Sequence, residues 1–104
     1  MSNFIIAVGH TASGNVGCGV VDRLDESNCT RRIGALVAEY LQEKGHSANL
    51  LRVDGSNTYN CEDCFTRANQ ANEIAKTTNV ELYIEIHINA GGSIGSEVLV
   101  TSSQ

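Results

Sequence analysis

The chain has no proline and no tryptophan. Without proline there is no stiff, extended linker and no proline-dependent redox fold. Basic residues are also scarce: 7 Lys+Arg stand against 12 Asp+Glu, a formal charge of −5. That balance excludes a protein that tracks nucleic-acid phosphates or docks through a polybasic patch on an acidic membrane. It is also consistent with simple solubility. Long apolar runs are missing too, so no segment reaches the roughly 18 residues of a membrane-spanning helix. The first apolar stretch, Phe4 to Val8, is too short for a signal-peptide core and has no basic residue before it. The expectation is a soluble chain made in the cytoplasm without its own export signal. Cys18, Cys29, Cys61 and Cys64 then read as thiols rather than a disulfide framework.

What is present suits one small domain. The 104 residues are 41% hydrophobic, which is enough for a core. Phe4 to Val8 is a continuous apolar run and reads as a buried parallel strand. A glycine-rich loop follows, with Gly9, Gly14, Gly17 and Gly19. A helix opens at Asp25, a good N-cap, with Glu26 in the first turn. Its apolar residues Ile33, Leu36, Val37, Tyr40 and Leu41 share one face, and Gly45 lies just past its end. Ala48 to Val53 is a second strand, and a second helix runs from about Cys61 to Thr77. Its apolar face is thin: Phe65, Ala68, Ala71 and Ala75. Val80 to Ile88 is a third strand, and Ser96 to Thr101 a fourth. Alternating strands and helices predict an α/β fold, with a mainly parallel twisted sheet between flanking helices in three layers. The working residues of such a sheet gather beyond the carboxyl ends of its strands.

Three familiar motifs fail. Gly9-His10-Thr11-Ala12-Ser13-Gly14 follows a strand as a phosphate loop would, but Asn15 and Val16 stand where Lys and Ser/Thr are needed. Gly91-Gly92-Ser93-Ile94-Gly95 spells a nucleophile elbow, yet a strand rather than a helix follows and no histidine lies downstream. Cys61-Glu62-Asp63-Cys64 is a CxxC without the second pair that a structural zinc site uses. It reads as two helix-packing thiols.

One constellation survives. His10 lies just past the first strand and His87 near the end of the third, so both stand at the carboxyl edge. His46 precedes the second strand and falls at the opposite edge, as a solvated turn residue. The helix returning from the carboxyl edge starts with Glu26, the natural third member. Two imidazoles and one carboxylate, with a fourth position open, match catalytic zinc. Hydrolysis of an amide or ester follows as the default chemistry. Glu85, two residues before His87 and on the same strand face, is a candidate to orient that ligand or to act as a base.

The chain resembles the zinc-dependent N-acetylmuramoyl-L-alanine amidases of bacterial cell walls and phage endolysins. The matching pieces are Val8-Gly9-His10, Asp25-Glu26-Ser27, Lys44-Gly45-His46, Arg67-Ala68-Asn69-Gln70-Ala71-Asn72, Ile86-His87-Ile88-Asn89-Ala90 and Gly95-Ser96-Glu97-Val98. The resemblance implies zinc held by His10, Glu26 and His87, and cleavage of the amide between N-acetylmuramic acid and L-alanine in peptidoglycan. It implies packing or hydrogen-bonding roles for Arg67 and Asn72, a loop-orienting role for Asn89 and a supporting one for Glu97. Action on the wall would follow release or lysis. Family members run longer and carry a further glutamate as general base. Residues 1–104 therefore read as a single amidase-like domain covering about the N-terminal two-thirds of the family domain. The sheet is expected to keep an open edge, able to self-associate or to pair with another chain. The alternative reading is a catalytically silent zinc- or wall-binding fragment that pairs with a full-length amidase.

Overall fold

The computed structural model describes residues 2–15, 18, 25–55 and 62–88. Their order is β1 (Asn3–Val8), α1 (Glu26–Glu43), β2 (Ser47–Leu51), α2 (Glu62–Thr77) and β3 (Leu82–Ile86). The three strands form one parallel sheet in the order β2-β1-β3. The α/β class and the elements expected in these stretches are present, with ends shifted by a residue or two. The expected fourth strand, Ser96 to Thr101, lies outside the described residues, as do Cys61, Asn89, Glu97 and the glycine turn at 91–95.

The apolar run of β1 is central because both of its faces are covered. Ile5 and Ala7 join Leu51 on one face, where Ala71, Ile74 and Val80 pack against them. Ile6 joins Ala38 and Ala48 on the other, with Phe4, Val37, Leu41, Leu50, Ile84 and Ile86 around them. The sheet is thus sandwiched between α2 on the first face and α1 on the second. Asp25 caps α1 by accepting from the Asn28 N–H at 3.0 Å. The chain leaves α1 at Gly45, whose φ of +91° suits a residue without a side chain.

Each helix meets the sheet on a face rotated from the expected one: Val37 and Leu41 of α1 and Ala71 of α2 pack against the core as expected, but the most buried positions lie beside them. In α1 the buried residues are Glu26, Ser27, Thr30, Arg31, Gly34 and Ala38. Ile33, Leu36 and Tyr40 are exposed, Leu36 by 61%. The reason is close approach: a Cβ on Gly34 would lie 2.6 Å from Val8 Cγ1 and 3.3 Å from Leu50 Cδ1. A helix this near the sheet needs small side chains at the contact, so bulk is turned outward. In α2 the buried residues are Asp63 and Arg67; Ala71 and Ile74 pack partly, and Phe65 is 60% exposed.

None of Cys18, Cys29 and Cys64 forms a disulfide. No helix among the described residues is long and apolar enough to cross a membrane.

The Gly34 contact generates a stability prediction. Gly34→Ala overpacks the interface between α1 and β1 and lowers the unfolding free energy by about 1–3 kcal/mol. A urea titration reads this, and an unchanged midpoint would show that α1 does not lie so close.

Candidate metal centre

The register of the sheet builds the site. Val8 pairs with Ile86, and the Gly9 N–H continues the ladder by donating to the Ile86 carbonyl at 2.9 Å. His10 and His87 therefore emerge side by side at the carboxyl edge. Their rings meet edge to face with centroids 5.2 Å apart. Glu26, the first residue of α1, brings its Oε2 to 3.1 Å from His10 Nε2. One donor atom from each of His10, Glu26 and His87 lies within 4.8 Å of the others. Glu26 is buried, His10 half-buried and His87 exposed, so the cluster opens toward solvent on one side.

Gly9 is required by this packing. A Cβ there would fall 2.4 Å from His87 Cε1 and 2.5 Å from its Nδ1, inside contact distance. His10 itself has a φ of +63°, a left-handed backbone that a histidine adopts only with support.

Two buried arginines supply that support, one from each side of the sheet. Arg31 on α1 donates from Nη2 to the His10 carbonyl at 2.9 Å and from Nη1 to the Gly9 carbonyl at 3.1 Å. Arg67 on α2 donates from Nη2 to the same His10 carbonyl at 3.1 Å and to Asp63 Oδ2 at 3.0 Å. Arg31 Nε is in turn held by Asp54 Oδ1 at 2.9 Å. Ser27 donates to the Thr11 carbonyl at 2.6 Å and also to that of Cys18. The polar stripe of α1 thus ties down the loop that carries His10. Arg31 and Asp54 belong to none of the sequence motifs above. Their signal is spacing: Ser27, Arg31, Gly34 and Ala38 recur at i, i+4, i+7 and i+11, a helix face written in small and polar residues.

Glu85 binds its neighbours on one strand face. Its carboxylate accepts from Tyr83 Oη at 2.5 Å and pairs with His87 Nε2 at 2.5 Å. The His87 hydrogen bond, with that of Tyr83 and the charge of Arg67, outweighs burial and holds the Glu85 carboxyl at about 2. The same bond pushes the His87 imidazole above its usual value against burial. Burial and Glu85 together raise the Tyr83 phenol. The two hydrogen bonds place this carboxylate to orient the His87 ring.

His46 lies at the other edge, as the strand order predicts, but it is packed rather than solvated. Its Nδ1 accepts from the Ser2 N–H at 3.1 Å, and its ring stands edge-on to Phe4. Asn72 is exposed.

Residues 4–104 match the family model described as N-acetylmuramoyl-L-alanine amidase. No curated protein sequence matches the chain. Among solved structures, it is similar to the CwlD amidase from Clostridioides difficile, determined in complex with the GerS lipoprotein. The TM-score is 0.54 at 22% identity, over 88% of this chain and 51% of that one, so the likeness shows a shared fold. The chain spans about half the length of that protein.

Two predictions arise from these contacts. Gly9→Ala displaces the His87 ring, which shifts its imidazole resonances in the NMR spectrum of the metal-free protein; unmoved resonances would contradict the contact. The second concerns acid. Burial would raise the Asp54 carboxyl, but the hydrogen bond from Arg31 and the charges of Arg52 and Arg31 hold it below its ordinary 3.8. A depressed folded-state value gives stability that is present above 3.8 and lost as pH falls through the folded value. Asp54→Asn should therefore show a flatter dependence of its urea midpoint on pH below 3.8 than the native chain.

Proposed function

The chain belongs to the N-acetylmuramoyl-L-alanine amidase family, and from that premise we propose that it acts on peptidoglycan as a zinc-dependent amidase. The bond cleaved is the amide between N-acetylmuramic acid and L-alanine. The observation that carries the zinc assignment is the convergence of His10, Glu26 and His87, with donor atoms within 4.8 Å of one another. The donor chemistry fits: among the described residues two imidazoles and one carboxylate make a three-ligand set of the catalytic kind, whereas a structural site is closed by a fourth protein ligand. Bound zinc supplies a Lewis acid for the amide carbonyl and lowers the pKa of a coordinated water toward ~7.

The chain's own residues prepare that chemistry. Glu85 grips the His87 ring and fixes its orientation, as carboxylates behind metal-binding histidines commonly do. Glu26 is placed by the first turn of α1, and Arg31 and Arg67 hold the His10 backbone. Substrate reaches the cluster from the side on which His87 is exposed.

A specific observation favours a second reading. Among the described residues, three carboxylates at this edge are already engaged: Glu85 bonds Tyr83 and His87, Asp63 binds Arg67 and Glu26 pairs with His10. A zinc- or wall-binding module that pairs with a full-length amidase is consistent with that engagement.

Zinc content separates these readings from a metal-free one. After reconstitution and desalting, elemental analysis should find about one zinc per chain, with His10→Ala and His87→Ala losing most of it. His46→Ala should retain it, because that ring stands at the far edge against Phe4. Retained zinc in His87→Ala would sink the site. With zinc bound, cleavage of muropeptides supports the amidase, and binding without cleavage supports the module.

A further inference from the structure

Arg67 stands where the two histidine-bearing segments meet. Its Nη2 donates to the His10 carbonyl, and its Nη1 faces Glu85 Oε2 at 4.0 Å. That same Glu85 oxygen holds His87 Nε2 at 2.5 Å. Asp63, one turn earlier on α2, anchors the guanidinium at 3.0 Å. The Arg67 side chain is 2% exposed, and its Nε has no hydrogen-bond partner. Burying a cation with one donor unsatisfied is unfavourable, and an apolar side chain of similar volume would pack there at less cost. Packing alone does not account for the residue. Arg31 holds the His10 carbonyl from the opposite side, but its other bonds run to Gly9, Ser27, Val53 and Asp54.

We propose that Arg67 is a positioning residue that sets the two imidazoles relative to each other, acting on His10 through its main-chain carbonyl and on His87 through Glu85. The inference rests on the metal reading above and deepens it. The polar contacts of Arg67 run to the His10 carbonyl, Asp63 and Glu85. It fixes the left-handed backbone from which His10 projects, and it restrains the carboxylate that orients His87. One rigid, forked group from α2 thereby joins the end of β1 to the end of β3. A lysine keeps the charge but presents a single ammonium, which cannot serve the carbonyl and the carboxylate in the same fixed geometry.

The test uses Arg67→Lys, Glu85→Gln and their combination in the full chain. Circular dichroism first establishes folding. Zinc affinity, measured by competition with a chromophoric chelator, should fall about 10–100-fold in Arg67→Lys. In the metal-free variant the His10 and His87 imidazole resonances should both move. Glu85→Gln should move the His87 resonances, and the double variant should lose less affinity than the sum of the single losses. Native zinc affinity with unmoved resonances in Arg67→Lys would overturn the proposal, and strictly additive losses would overturn its Glu85 arm. If Arg67→Lys does not fold, Asp63→Asn replaces it, since that change loosens the anchor and leaves the guanidinium in place. The imidazole shifts are then expected again, and their absence overturns the role. If the native chain retains no zinc, the metal reading fails, and the metal-free resonances alone decide the positioning role.

Discussion

The carbonyl oxygen of His10 accepts hydrogen bonds from two buried guanidinium groups, and the geometry at the carboxyl edge depends on that meeting point. A histidine at a φ of +63° is strained by roughly 1–3 kcal/mol, so something must over-determine it. Arg31 and Arg67 reach it from helices on opposite faces of the sheet. Each arginine is itself tied to a carboxylate, Asp54 for one and Asp63 for the other. Buried charges of this kind add little net stability, but removing one partner leaves the other uncompensated. The network therefore acts less as a source of folding energy than as a device that permits only one arrangement of the edge.

This constraint explains why each helix turns small and polar residues to the sheet beside part of its expected apolar face. Arg31 can reach Gly9 and His10 only if α1 turns its polar stripe to the sheet, and Gly34 and Ala38 continue that stripe toward the far end of the helix. The small residues let the helix lie against Val8 and Leu50, and Ile33, Leu36 and Tyr40 are left outside. Arg67 has the same consequence for α2. An apolar count along either helix finds part of the contact, Val37, Leu41 and Ala71, but misses the small and polar residues that are most buried.

That contrast marks what the sequence shows and what it conceals. The strands are legible because β-branched and aromatic runs such as Phe4–Val8 and Leu82–Ile86 carry a burial signal in their composition. Helix ends are legible where a local rule operates, as at Asp25 and Gly45. The grouping of His10 with His87, and the exclusion of His46, follow from strand polarity alone, because a parallel sheet has one carboxyl edge. The phase of each helix is not legible by hydrophobicity, and the arginine clamp is concealed because it acts through backbone carbonyls, which have no signature in side-chain identity. The packing of His46 against Phe4 is hidden for a related reason: β1 and β2 start level, with Asn3 opposite Ser47, and only that register brings the two rings together.

The carboxylates at the edge divide along similar lines. Glu26 comes to the cluster from a helix start, Glu85 from the strand face behind His87, and Asp63 from the helix that carries Arg67. A general base works best with a pKa near the operating pH, and the contacts that make Glu85 a good orienting group are the ones that hold its carboxyl at about 2. Orientation and proton acceptance are competing demands on one carboxylate. Tyr83 and His87 both bond to Glu85 and Arg67 faces it, contacts that favour the first. Among the described residues, the hydrogen bonds from Tyr83 and to His87 thus suit Glu85 to holding the ring beside it.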